Sequence, residues 1–382
     1  MNTSQPYSVF ISNKSSFLYY LLFFLAGFNN LIVFATLILT CIMISIRTYI
    51  KLKLSWEFLG SATIFFLYLI LTFFIGYDRF YISKPFNPMI IIIISTIFLG
   101  FILQSIPNIE KKQLISLYII GLATQSLFIV LYNYIQEGNY GYGNLLNPFT
   151  GDRINSPSIS NNLALSLSLA LYYLFNSKKI VRFTSIFFTI LILACGIYLS
   201  GRTFFFLSLI ALTALLVKNL RVKNIAYFLL LIILASLAII YLLPENLSKH
   251  LDFTLSRLNE GIESNRFKHY YYGITTLPDY PFGGFTIDFS IENTLWFHNI
   301  FLDTARVAGW IPMFLLILFT IMSLVRYFKI RQDNSAFFGF YIFLITFIIM
   351  QQDVILEGEY RILIIFFLSS LMFIPAPKNK TC

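Results

Sequence analysis

A small set of polar side chains stands out against an otherwise apolar sequence: Arg153, Arg202, Arg266, His298 with Asn299, Arg306, and the acids that precede the last apolar stretch. Arg202 sits in Ser200-Gly201-Arg202-Thr203, a four-residue break between two apolar segments. An arginine at such an edge is costly unless it is paired or snorkels to water. It either anchors a tight interfacial turn or uses its guanidinium fork to hold a phosphate of a lipid-linked ligand. Arg266, in Ser264-Asn265-Arg266-Phe267, is a loop arginine that is either solvated or joined to the same task. His298 lies in Trp296-Phe297-His298-Asn299-Ile300-Phe301-Leu302-Asp303, eleven residues before Gly309. It is either an interfacial side chain or a neutral imidazole that takes a proton from a hydroxyl near neutral pH, as a general base must. His250 and His269 fall on an amphipathic stretch and are expected at the surface.

Other chemistries lack their residues. There is no Walker loop, dinucleotide glycine pattern, HExxH or paired-cysteine site, so nucleotide-driven work and zinc hydrolysis are without their usual supports. Neither metal nor cofactor is expected, and energy must come from the substrate or a gradient. Cys41 and Cys195 sit within apolar segments and Cys382 ends the chain, which argues against disulfides and structural zinc.

The elements that must position this set are membrane helices. Of 382 residues, 58% are hydrophobic and only 12% charged, with a mean hydropathy of +0.78; a soluble domain carries about a quarter charged residues. The 43 Phe and 24 Tyr suit lipid-facing and interfacial helices. The net charge of +10 contains no basic run longer than a Lys-Lys pair. Membrane topology therefore explains the charge better than a nucleic-acid partner does.

Crossing a ~30 Å hydrocarbon core takes roughly 17–25 helical residues, fewer where a helix is broken or packed inside a bundle. On that rule twelve spans are expected, near 17–29, 31–46, 58–76, 89–103, 114–136, 159–175, 181–199, 203–217, 225–243, 309–325, 336–350 and 361–374. The first two form one apolar run broken only at Phe28-Asn29-Asn30, so the number is eleven if that break does not divide it. The N-terminus reads as retained helix rather than as a signal peptide. Twelve spans with an inside N-terminus put Arg47, Lys51, Lys53, Lys111, Lys112, Lys178, Lys179, Arg182, Lys218, Arg221, Lys223, Arg326, Lys329 and Arg331 in inner loops. Most acids then fall outside, which is the positive-inside asymmetry. The expectation is an all-α polytopic membrane protein, residues 1–382 forming one integral membrane domain. Its large outer loop, 244–308, lies between helices 9 and 10, with a helix-like pattern from Glu245 to Tyr272 and a turn-rich Leu277-Pro-Asp-Tyr-Pro-Phe-Gly-Gly after it. A shorter outer loop covers 137–158.

Placed on this topology, the polar set resembles a known family. His298-Asn299, nine residues and Gly309-Trp310-Ile311 resemble the histidine motif of the O-antigen ligase and polymerase superfamily of bacterial membrane glycosyltransferases. Leu199-Ser200-Gly201-Arg202-Thr203 is similar to that family's SGSRT turn, and Asn265-Arg266 stands where its long-loop arginine does, before an aromatic segment and a Pro-Phe-Gly-Gly turn. Arg153 to Asn162 looks like its arginine-containing loop leading into a Leu/Ala helix. The resemblance covers about residues 150–325; Pro312 departs from the ligase motif, which usually has a small or aromatic residue there.

The resemblance implies an undecaprenyl-diphosphate-linked glycan donor on the periplasmic face of the bacterial inner membrane, both termini being cytoplasmic. Partners would be that donor, a glycan acceptor, the lipid bilayer and a chain-length regulator, with no nucleic acid. By it, Arg202 and Arg266 bind the diphosphate, His298 activates the acceptor hydroxyl, and Arg153, Asn299 and Arg306 assist in binding. A lipid-linked repeat unit as acceptor makes the protein a polymerase, which Pro312 favours; lipid A core makes it an O-antigen ligase. Two functions of a different class share the topology. One is a polysaccharide flippase, expected to show two related halves and mid-helix charges; the second is a membrane scaffold without chemistry.

Overall fold

A computed structural model describes residues 13–28, 55–80, 86–105, 108–136, 143–218, 265–288 and 295–374. The described part is all-α apart from one short hairpin. Its helices are α1 (Asn13–Phe28), α2 (Trp56–Ile75), α3 (Phe86–Ser105), α4 (Asn108–Gln136), α5 (Ser156–Asn176), α6 (Lys179–Tyr198), α7 (Arg202–Lys218), α8 (Asn265–Thr276), α9 (Ile300–Ala308), α10 (Trp310–Ile330), α11 (Asn334–Met350) and α12 (Tyr360–Ser370). Ten of the expected spans coincide with described helices; 31–46, 225–243 and most of the 245–272 amphipathic stretch lie outside the described residues. Among the described residues four helices are long and apolar enough to cross a membrane, namely Trp56–Ile75, Glu110–Gln136, Lys179–Tyr198 and Trp310–Ile330. Shorter apolar helices accompany them.

Local chemistry sets the helix starts. The Ser55 hydroxyl accepts from the Phe58 N–H at 3.2 Å to open α2, and the Asp333 carboxylate accepts from the Ser335 N–H at 2.8 Å to open α11. Each satisfies an amide that the helix itself leaves without a partner. Pro312 sits in the first turn of α10, where a missing N–H costs no helical bond. That accounts for its tolerance whatever the reaction.

Packing follows small residues. A Cβ on Gly27 would lie 1.9 Å from the Tyr118 carbonyl oxygen, and one on Gly121 would lie 1.9 Å from that of Phe24. So α1 and α4 touch backbone to backbone, the close approach by which helices associate where apolar burial gives no net drive. At the centre, α12 from Arg361 onward and the short turn that follows it, to Ile374, are buried without a break. In contrast α6 and α10 turn apolar faces outward, with Ile180, Phe183, Phe187 and Ile190 on one and Ile311, Phe314, Leu318 and Ile321 on the other exposed. Outward faces this apolar are ruinous in water and cost nothing against acyl chains.

The hairpin β1 (Asn144–Leu146) and β2 (Arg153–Asn155) pairs Leu145 with Ile154. Asn133 of α4 completes it from the side, donating to the Leu146 carbonyl at 2.8 Å and accepting its N–H at 2.9 Å. This fixes the start of α5, whose first two turns supply polar groups to the site.

Candidate functional site

His298 is one of two non-glycine residues with positive φ among the described residues, at 55°; the other is Ser200, at 52°. The left-handed region costs an L-residue roughly 1–2 kcal/mol, so something must hold each in place. At His298 it is a carboxylate. Asp303 Oδ1 accepts the Phe297 N–H at 2.8 Å and Oδ2 accepts the Asn299 N–H at 3.1 Å, so one side chain grips the backbone on both sides of the histidine. Asn299 caps α9, its Oδ1 accepting from the amides of Phe301 (3.0 Å) and Leu302 (3.2 Å). The nine-residue α9, which apolar run length does not reveal, buries Ile300, Ala305, Val307 and Ala308 and so carries Asp303 inward.

Ser200 opens the second strained turn. Next to it, a Cβ at Gly201 would fall 1.9 Å from Ser160 Oγ, so only glycine lets this turn press onto α5 and start α7 at Arg202. Arg202 is half-buried there. Arg266 comes in from α8: its guanidinium donates to Gln352 Oε1 at 2.7 Å and to Thr203 Oγ1 at 3.5 Å. The arginine of the loop and the arginine turn therefore meet. The hub between them is Gln351-Gln352 at the end of α11. Gln351 Oε1 accepts from Asn299 Nδ2 at 2.8 Å, and its carbonyl accepts from the Tyr270 hydroxyl, which also reaches the His298 carbonyl at 3.4 Å.

The Pro-Phe-Gly-Gly turn locks this assembly. Gly309 has φ 88°, and a Cβ there would lie 2.3 Å from the Pro281 carbonyl oxygen. The Trp310 N–H donates to that same carbonyl at 3.0 Å. Arg79, in the turn after α2, donates to the Phe282 carbonyl at 2.6 Å and the Val307 carbonyl at 3.1 Å.

Electrostatics makes His298 a neutral group. Burial, then the charge of Arg266 and then His269, push its pKa down to about 4, and its Nδ1 is buried with no hydrogen-bond partner among the described residues. Burial pushes Asp303 up to about 7 although Arg306 and the two amides favour its charged form. Asp353, on the turn after α11, is pushed up to about 6 by burial. Its carboxylate accepts from Asn161 Nδ2 at 2.9 Å, Ser158 Oγ at 3.3 Å and the Val354 N–H at 2.8 Å. The polar chain continues inward, Asn162 Nδ2 donating to Glu359 at 2.7 Å and Glu359 pairing with Arg361 at 2.5 Å. Arg361 also donates to the Gly27 carbonyl at 2.9 Å.

Arg266, His298 and Asn299 thus come together around Gln351 and Gln352, with Arg202 beside Thr203. Arg306 is enclosed, 1% exposed, its guanidinium 4.2 Å over the Trp296 ring. Arg153 stands exposed on β2, opposite Leu146. His269, expected at the surface, is only 8% exposed, because α8 turns that face toward His298; His250 lies outside the described residues. Residue types alone missed Gln351, Gln352 and Asp303. The available signal was a Gln-Gln-Asp run ending an apolar helix. No protein-family model matches this chain, and no curated protein matches it in sequence.

Proposed function

We propose that this chain is a membrane glycosyltransferase that polymerises undecaprenyl-diphosphate-linked repeat units into O-antigen or a similar surface polysaccharide, on the periplasmic face of a bacterial inner membrane. The observation that carries the reading is the meeting of Arg266 with the Arg202 turn at Thr203, beside a buried neutral imidazole at His298. Twelve spans, cytoplasmic termini and a periplasmic 244–308 loop belong to the same reading, supported by the charge asymmetry of the loops.

In this mechanism the two guanidiniums bind the donor diphosphate and stabilise the negative charge that grows as it leaves, where electrostatic help lowers the barrier most. The acceptor hydroxyl attacks the anomeric carbon from the opposite face, the bond from that carbon to the diphosphate oxygen breaks, and the sugar inverts. The electron pair leaves with the diphosphate and the hydroxyl proton passes to His298. An imidazole of pKa about 4 is a weak base. Burial is the larger cause of that depression and Arg266 the second; phosphate charge against Arg266 offsets the second, moving the pKa back toward the range in which a base is effective.

The test is deletion of the gene in its host and complementation with wild type, Arg202→Ala, Arg266→Ala or His298→Ala, followed by gel separation of the lipopolysaccharide. Lipid A core bearing one repeat unit is the expected result for each variant. Core without O-antigen, with lipid-linked polymer accumulating, would assign the ligase reaction instead. Full-length ladders from all three variants would remove the catalytic assignment.

A further inference from the structure

We propose that Asp303 is a positioning residue for His298, fixing the imidazole at the reacting face through the backbone; this rests on the reading of His298 as the group that activates the acceptor. The carboxylate accepts the amide hydrogens of residues 297 and 299 at 2.8 and 3.1 Å, and between them His298 is held at φ 55°. An acid near a helix start ordinarily serves that helix's own first amides. Here Asn299 already serves them, accepting from Phe301 and Leu302, so the carboxylate is spent on the histidine turn and not on α9.

Its surroundings fit that task. Asp303 is 2% exposed and lies in the field of Arg306, itself enclosed against Trp296. Hydrogen bonds to amides are stronger in a dry site than in water, and two of them offset the left-handed strain of one residue. Without them residue 298 relaxes to negative φ, and the Cα–Cβ bond swings the imidazole off its line to the acceptor. Misplacement of a reacting group by about 1 Å can cost on the order of 100-fold in rate.

The experiment uses the full chain reconstituted in vesicles with lipid-linked repeat units extracted from the deletion host. Asp303→Asn keeps one acceptor oxygen but turns an NH2 toward the other amide. The expected result is a kcat lowered about 10- to 100-fold with the donor KM within about threefold of wild type. In a His298→Ala background, Asp303→Asn should lower the residual rate no further, because the acid acts only through the histidine. Should Asp303→Asn fail to reach the membrane, Asp303→Glu, which retains the charge facing Arg306, is read in the same way. A wild-type kcat, a loss confined to KM, or a further full loss in the His298→Ala background overturns the proposal. Inactive His298→Ala beside fully active Asp303→Asn removes this inference alone, whereas active His298→Ala removes the underlying reading as well.

Discussion

The charge state of one imidazole governs what the site can do. With its pKa near 4 in the free protein, His298 is neutral through the whole physiological range before the donor binds, so the acid limb that this residue contributes to kcat/KM, which reports the free protein, should fall well below the 6.5 of an ordinary histidine. Arg266 is the second cause of that depression after burial. Arg266→Gln removes a positive neighbour, makes the imidazolium easier to form, and should move the limb of the residual activity to higher pH, while Arg266→Lys should leave it in place. An unmoved limb in Arg266→Gln would show that the arginine's field does not reach the imidazole. Stability carries the same signature. The unfolded histidine takes up its proton near 6.5 and the folded one only near 4, so His298 costs stability as pH falls through that window. Asp303 and Asp353, raised to about 7 and about 6, act oppositely and cost stability as pH rises through roughly 4 to 7. His298→Gln should therefore gain more in melting temperature than wild type on going from about pH 6.5 to about pH 5, measured by intrinsic fluorescence. The histidine and arginines were legible in sequence because their types are rare in apolar surroundings. Gln351 and Gln352 carry no charge, and Asp303 stands in a stretch that reads as solvated loop, so nothing in residue type distinguished them.

At the scale of elements, two kinds of join hold the site together, and they fail differently. The Gly309 join is steric: φ is 88° and a Cβ would lie 2.3 Å from the Pro281 carbonyl oxygen. Gly151 has a similar φ of 75° but open space around it. Gly309→Ala should cost at least about 2–3 kcal/mol and detach the Pro-Phe-Gly-Gly turn, while Gly151→Ala should cost about 1 kcal/mol. Equal losses in thermal unfolding would mean that the turn is not packed on α9 and α10. The α12 join is ionic, since Glu359 and Arg361 are 5% and 3% exposed and bound to one another. Removing one partner leaves a buried charge, so Arg361→Met should cost about 3–5 kcal/mol. The paired change Glu359→Gln with Arg361→Met should recover much of it; no recovery would show that the bonds from Arg361 to Gly27 and Gln125, not the pair, matter most. The helices themselves were legible from apolar run length, since ten expected spans coincide with described helices. The nine-residue α9 was not, because nine residues that include Asp303 and Arg306 fall far short of the apolar run by which the spans were recognised.

For the whole molecule, orientation and chemistry are one statement. The donor of the proposed reaction, with its diphosphate at the outer headgroup level, can meet Arg202 and Arg266 only if the α7 start, α8 and the turn after α11 share the periplasmic side. The loops between α5 and α6, and between α10 and α11, must then face the cytoplasm, in keeping with Lys178 and Arg331 within them and Lys179, Arg326 and Lys329 on the adjoining helix ends. Exposed residues on each side give a direct reading: Lys268 on α8 and Gln332 in the turn before α11 are both exposed. In a background with Cys41, Cys195 and Cys382 replaced by serine, Lys268→Cys should react with a membrane-impermeant maleimide added to intact spheroplasts, and Gln332→Cys only after the membrane is opened. The reverse pattern would leave the loop in the cytoplasm, where a nucleotide-free reaction on a flipped lipid-linked glycan has no substrate, and the proposed function would fall with the topology even if every contact around His298 were correct.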